Sequence, residues 1–93
     1  IENLIRSVPK NLSINIDLSK IQVLKIFKWL KTKNLSDHEM MRTFNCGIGF
    51  CLIVSKSNVN KIKKCFSKKY LPYEIGYISV DKNKVNLSNS FRW

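Results

Sequence analysis

The stretch that decides the reading of this chain is residues 39–50, EMMRTFNCGIGF. It starts in an amphipathic turn carrying Arg42 and Thr43 and tightens into a corner at Asn45, Cys46 and Gly47. From there it runs into the most apolar segment of the chain, residues 48–54. A polar cluster that ends at a glycine corner and feeds a buried strand presents its side chains at a sheet edge. Just upstream, residues 36–39 spell a capping box, in which the Ser36 hydroxyl accepts from the Glu39 amide and the Glu39 carboxylate reaches back to the Ser36 amide. A helix begins there and must be short, because Gly47 and Gly49 follow within three turns. Met40, Met41 and Phe44 face inward. His38 and Arg42, four residues apart, share another face. The ordinary reading of Arg42 is a surface pair with Glu39, and that of His38 is a solvent-facing side chain.

Downstream, residues 48–54 are apolar on both faces, which predicts a central strand covered on both sides. Gly49 inside it predicts a bulge or a close backbone approach. A Gly-x-Gly that follows a helix and precedes a strand reverses the usual phosphate-loop order, so these glycines do not define a nucleotide site by themselves. Ser57 or Asn58 is expected to cap the next helix, with Val59, Ile62, Cys65 and Phe66 as its apolar face, and Pro72 to end it. Residues 73–80 read as a strand, 81–84 as a turn and 85–88 as a returning strand. Residues 88–93 read as a tail whose Phe91 and Trp93 are free to dock on a neighbour.

Upstream, residues 1–9 carry Leu4, Ile5 and Val8 at helical spacing before Pro9. Leu12, Ile14 and Ile16 alternate with polar residues over 11–17, as in a half-buried strand. Residues 19–34 switch to a 3.6-residue period, with Val23, Ile26, Phe27 and Leu30 as one stripe and Trp29 beside it. Lysines occupy much of the remaining surface, and Asn34 suits a left-handed C-cap. The expected fold is α+β: helices packed on a mixed, mostly antiparallel sheet, in a single unit.

The 93 residues support a modest core, and 44% apolar content excludes wholesale disorder. No apolar run approaches the ~20 residues that span a bilayer, so no membrane partner is expected. The first residue is Ile1 and no signal-peptide pattern follows, which suggests a piece of a longer chain. Cys46, Cys51 and Cys65 lack metal-ligand spacing even with His38. They read as reduced thiols in the cytoplasm, with Cys51 and Cys65 as small core residues. The net charge of +11 raises the alternative of a small basic nucleic-acid-binding module. Lysines, however, outnumber arginines 14 to 3, whereas base readout and bidentate phosphate recognition favour arginine. Lys, Ile and Asn together fill 35 positions, and all three have A/T-rich codons. Compositional bias then accounts for the lysines, and no specific nucleic-acid partner is expected. No Ser-His-Asp set, paired-carboxylate site or metal cluster is visible.

The stretch EMMRTFNCGIGF resembles the signature of the C-terminal domain of phosphoribosylformylglycinamidine cyclo-ligases, the AIR synthetases, whose pattern is close to E-M-x-R-T-F-N-x-G-x-G-M. Glu39, Met40, Arg42, Thr43, Phe44, Asn45, Gly47 and Gly49 match, and Phe50 replaces the last Met. IENLIRSVP is similar to the segment that follows the family's triple-glycine loop, with Glu2, Asn3, Arg6 and Pro9 on matching positions. Ile26, Phe27, Trp29 and Leu30 match the helix before the signature, and Ile75 and Gly76 the late strand. The chain departs from its relatives at Leu24, where they commonly have Pro, so its helix is expected to begin earlier than theirs. Asn34 and Lys69 stand where relatives often have Gly.

The resemblance implies the C-terminal portion of a larger enzyme, whose N-terminal ATP-handling domain is absent from this chain. The implied reaction is ATP-dependent ring closure of formylglycinamidine ribonucleotide to aminoimidazole ribonucleotide in purine biosynthesis. ATP phosphorylates the formyl oxygen, and a nitrogen then displaces phosphate. ATP and Mg²⁺ are implied cofactors of the full-length enzyme, neither expected to bind this piece tightly. The implied partners are the remainder of the same chain, a second copy in a homodimer, and small nucleotide substrates. Arg42 is the implied catalytic residue. Thr43, Asn45, Gly47 and Gly49, with Glu2 and Asn3, are the implied substrate- or nucleotide-binding residues. No metal ligand is assigned. Taken alone, the piece is expected to be inactive, with an unpaired sheet edge prone to association.

Overall fold

The capping box forms as the pattern requires. In the computed structural model, which describes residues 2–93, Ser36 Oγ accepts from the Glu39 amide at 3.2 Å. Glu39 Oε2 accepts from the Ser36 amide at 3.1 Å, which closes the box. The helix it starts, α3 (Asp37–Thr43), is seven residues long and buries Met40 completely. Four helices are found among the described residues: α1 (Glu2–Arg6), α2 (Lys25–Lys31), α3 and α4 (Val59–Lys64). Three strands, β1 (Ser13–Asp17), β2 (Gly76–Ser79) and β3 (Val85–Ser88), form one sheet in the order β2-β1-β3. β1 runs antiparallel to β2, with Ile14 opposite Ile78, and parallel to β3, with Ile14 opposite Val85. The fold is α+β on a mixed sheet. β3 does return relative to β2, but β1 lies between them.

Alternation along β1 puts Ile14 and Ile16 in the core with Val8, Leu18, Ile21, Met40, Cys46 and Phe91. The opposite face is a polar ladder. Asn15 Nδ2 donates to Ser79 Oγ at 2.8 Å, and Asn86 Nδ2 donates to Asn15 Oδ1 at 3.1 Å. Gly76 is required where β2 meets β1, because a Cβ there would lie 1.8 Å from the Asn15 carbonyl oxygen.

Several expectations are corrected. The helix predicted over 19–34 is only α2, seven residues long. Asp17 Oδ1 accepts from the Ser19 amide and hydroxyl, at 3.0 and 2.6 Å, and caps a separate 3-10 turn, Leu18–Lys20. Ile21 then takes an extended conformation to reach the core. α2 starts directly after Leu24, so it begins no earlier than a proline there would allow. Phe27 and Leu30 pack on the core, while Ile26 and Trp29 stay exposed.

Residues 48–54 form no strand. The sheet consists of β1, β2 and β3 alone, and the run pairs with neither of its outer edges; it is largely exposed, with Phe50 at 84% of its full accessibility. Cys51 and Cys65 are exposed as well, and of the three thiols only Cys46 is in the core. Neither Ser57 nor Asn58 caps α4 through a side-chain bond to its backbone; Asn58 Nδ2 instead donates to Ser55 Oγ at 2.8 Å.

The tail docks on its own chain. Phe91 is buried, its ring centroid lies 5.0 Å from that of Trp93, and Trp93 Nε1 donates to Asp37 Oδ1 at 2.9 Å. Lys31 pairs with the same carboxylate oxygen at 2.9 Å, which ties the end of α2 and the start of α3 to the tail. The radius of gyration, 14.1 Å, exceeds the ~12 Å of a tightly packed chain of this length. The excess reflects one uncovered face.

Candidate functional site

Two depressions among the described residues differ in chemistry. The larger, about 1410 Å³, is bordered by residues 47–56 and 70–78 and floored by Ile14 and Ile16. Its walls are apolar, and Phe50, Leu52, Leu71 and Tyr77 stand exposed around it. The smaller, about 780 Å³, lies between α1, α3 and β3 and is lined by charged and amide side chains.

The smaller depression brings together most of the site residues read from the sequence. Glu2 and Asn3 come from the first turn of α1, Arg42 and Thr43 from the last turn of α3, and Asn45 from the corner beyond it. Met41, Phe44, Val85 and Leu87 supply an apolar side. His38 lines it too. It is exposed, as its solvent-facing reading expects, and it shares a helix face with Arg42 as their four-residue spacing requires.

Local chemistry holds these groups in place. Asn45 Oδ1 accepts from the Gly47 amide at 2.9 Å, an Asx turn that fixes the corner. Cys46 and Gly47 both have positive φ, 55° and 112°. The Cys46 thiol lies 3.8 Å from the Met40 carbonyl oxygen, and burial pushes its pKa up, so it packs as a neutral group. α1 is held over the depression by Lys84, whose Nζ donates to the carbonyls of Val8, Pro9 and Leu12 at 3.2, 2.6 and 3.0 Å. Within α1, Arg6 donates to Asn3 Oδ1. Arg42 makes no ion pair among the described residues; the Glu39 carboxylate expected beside it is engaged in the capping box.

Gly47 and Gly49 are placed elsewhere, on the lip of the apolar depression. A Cβ on Gly47 would lie 3.0 Å from both the Gln22 carbonyl oxygen and Leu24 Cγ, so the close approach there is to the chain itself. Nothing lies within 4 Å of the corresponding point on Gly49, and the expected close contact is not found. No group of three His, Cys, Asp or Glu side chains that could hold a metal ion occurs among the described residues.

Residues 1–87 match the family described as AIR synthase related protein, C-terminal domain. The chain belongs to that family. This AIR synthase related domain is similar to two curated proteins named phosphoribosylformylglycinamidine cyclo-ligase. One, from Prochlorococcus marinus (strain NATL2A), is 37% identical over 84 residues, 88% of this chain and 24% of the relative. The other, from Xylella fastidiosa (strain Temecula1), is 37% identical over 90 residues, 92% of this chain and 26% of the relative. The domain thus spans about a quarter of the length of the curated relatives it matches. No solved structure matches it. The family match ends at residue 87, so the Phe91 and Trp93 strap lies beyond it.

Proposed function

We propose that this chain supplies one wall of the active site of a phosphoribosylformylglycinamidine cyclo-ligase, the activity that names both relatives. The proposed reaction is ATP-dependent ring closure of formylglycinamidine ribonucleotide to aminoimidazole ribonucleotide. The observation that carries the reading is the meeting of Glu2, Asn3, Arg42, Thr43 and Asn45 in one depression of a domain of this family. Arg42 is the proposed catalytic residue, because an unpaired guanidinium can stabilise negative charge that develops on substrate oxygens. Thr43 and Asn45 orient substrate or nucleotide oxygens from the same side, and Glu2 and Asn3 close the other. In this reading Gly47 and Gly49 shape the corner.

ATP supplies the phosphoryl group when bound, with Mg²⁺ to neutralise its charge. Among the described residues the acidic side chains do not converge as a Mg²⁺ site requires. The proposal therefore puts ATP and Mg²⁺ handling in the part of the enzyme that lies outside the match. On its own the chain is proposed to be inactive. The exposed apolar run 48–54 supports the remainder of the same polypeptide as its partner, since such a segment calls for a covering layer. The intact enzyme is proposed to be a cytoplasmic homodimer acting on small nucleotide substrates. None of the described helices is long and apolar enough to cross a membrane. The names of the two relatives carry no nucleic-acid role.

The test is Arg42→Ala in the intact enzyme. The expected loss in kcat/KM is about 100-fold, the usual effect of removing one preorganised charge donor, with folding unchanged. Turnover equal to the parent enzyme would sink the catalytic role of Arg42.

A further inference from the structure

Residues 89–93 run from the end of β3 to the start of α3 and are held at three points. At the root, Asn89 turns the chain with φ of 56°, and its Nδ2 donates to Asp17 Oδ1 at 2.9 Å. In the middle, Phe91 is buried in the same core cluster as Met40. At the far end, the Trp93 indole N–H and the Lys31 ammonium both meet Asp37 Oδ1 at 2.9 Å. Lys31 Nζ also lies 5.6 Å from the centre of the Trp93 ring, so cation and indole hold each other against the carboxylate. The other tryptophan, Trp29, stands exposed on α2.

The element this strap grips cannot place itself. Isolated helices shorter than ~12–15 residues are marginal in water, and α3 has seven residues with Met40 as its one buried side chain. Its two ends carry different things. Asp37 at the first position meets the strap, whereas Arg42 and Thr43 in the last turn line the polar depression. Five residues separate Asp37 from Arg42, ~7.5 Å along the helix axis, and Met40 sits between them as a pivot. Freeing the Asp37 end lets α3 rock about Met40, which moves Arg42 the opposite way.

We propose that residues 89–93 are a strap that sets the position of Arg42, with Trp93 as a positioning residue that acts through Asp37. The strap lies beyond the residues matched to the family. Its kinetic consequence rests on the cyclo-ligase reading; its effect on the geometry of α3 does not. A misplacement of ~1 Å at a catalytic group can cost about 100-fold in rate. Loss of one of the two donors on Asp37, with Lys31 still in place, is expected to cost less, about tenfold.

The test variant is Trp93→Phe, which keeps a ring beside Phe91 and removes the N–H. Trp29→Phe makes the same chemical change away from the strap. In amide proton–nitrogen NMR of the full 93-residue chain, Trp93→Phe should shift the amides of residues 42–45 as well as those of 36–38. Trp29→Phe should leave residues 42–45 in place. Trp93→His, which restores a ring N–H donor, should bring those amides back toward their parent positions. In the intact enzyme, Trp93→Phe should lower kcat and kcat/KM alike, because Arg42 acts on charge that develops in the transition state. In an Arg42→Ala background the same change should cost nothing further, since the group it positions is gone. A strap that only stabilises the fold would leave the two losses additive.

Shifts confined to residues 36–38, with residues 42–45 unmoved, would overturn the proposal, and so would additive losses in the double variant. The two readings fail differently. Loss of the cyclo-ligase reading shows as no ring closure by the intact enzyme, while the shifts at residues 42–45 still decide the strap. Loss of the strap shows as unmoved 42–45 amides, with ring closure and its dependence on Arg42 retained.

Discussion

Two glycines of the signature, two positions apart, should respond in opposite ways to the same substitution. Gly47 has φ of 112°, a conformation that side-chain-bearing residues rarely adopt, and its added Cβ would crowd the Gln22 carbonyl and Leu24 at 3.0 Å. The backbone conformation costs of order 1–3 kcal/mol for a non-glycine residue. Leu24 is exposed and can give way, but the Gln22 carbonyl is backbone, so relieving the crowding adds about 1 kcal/mol. Gly47→Ala should therefore lose about 2–4 kcal/mol. That is a large fraction of the roughly 5–15 kcal/mol that stabilises a domain. At about 4–8 °C per kcal/mol for a chain of this size, Tm falls by roughly 8–30 °C. Gly49 has neither a positive φ nor any atom within 4 Å of an added Cβ. Gly49→Ala should be neutral or gain up to ~1 kcal/mol by restricting the unfolded chain. Urea and thermal unfolding followed by circular dichroism measure both. A Gly47→Ala variant within ~0.5 kcal/mol of the parent, or a Gly49→Ala variant as damaged as Gly47→Ala, would refute the reasoning.

The Asp37 clasp gives a pH-dependent stability. The Lys31 ammonium holds the Asp37 carboxyl below the usual carboxylate range; burial opposes it, and the Trp93 indole N–H adds a smaller lowering. A depressed folded-state pKa stabilises fully above the unfolded value of about 3.9 and loses that contribution as pH falls through the folded value. Asp37→Asn should thus lower Tm at pH 7 by the equivalent of less than ~1 kcal/mol, because both partners are partly exposed. The difference between variant and parent should shrink as pH falls below the usual carboxylate range, and a gap in thermal melts that is unchanged between neutral and acid pH would contradict the clasp. The exposed apolar run predicts association of the isolated chain. Ile53→Lys should raise the apparent dissociation constant about tenfold by removing roughly 1.5 kcal/mol of apolar burial, as read by sedimentation velocity. Association that Ile53→Lys leaves unchanged would place the sticky surface elsewhere.

Elements whose signals are local are legible in the residues themselves. The Ser36 and Glu39 box, the corner at Cys46 and Gly47, and the left-handed Asn34 depend only on neighbours in the chain. So does the alternation that buries Ile14 and Ile16. The misread elements depend on distant partners. Residues 48–54 have the composition of a central strand, but whether such a run pairs depends on what lies beside it; here the central position belongs to β1, and the outer edges of β2 and β3 stay unpaired. The long helix expected over 19–34 fails because the Asp17 carboxylate captures Ser19 and the core pulls Ile21 out of register. The strap made by Phe91 and Trp93 is hidden because its anchor, Asp37, is 56 positions away from Trp93.

The candidate site is legible for a different reason. Arg42, Thr43 and Asn45 are adjacent in sequence, so their proximity follows from the helix and its corner. What periodicity cannot supply is the approach of α1, which the Lys84 contacts to the loop after it secure from the far end of the chain. The spacing of His38 from Arg42 puts both on one face, but an exposed histidine carries little information until the wall opposite it is known.

The most direct test of the account is a crystal structure of the intact enzyme with its ribonucleotide substrate bound. The substrate should lie against α1 and α3, with oxygen atoms within hydrogen-bond distance of Arg42 and of the Asn45 amide nitrogen. A substrate seated instead in the apolar depression beside residues 70–78, with Arg42 and Asn45 facing solvent, would contradict it.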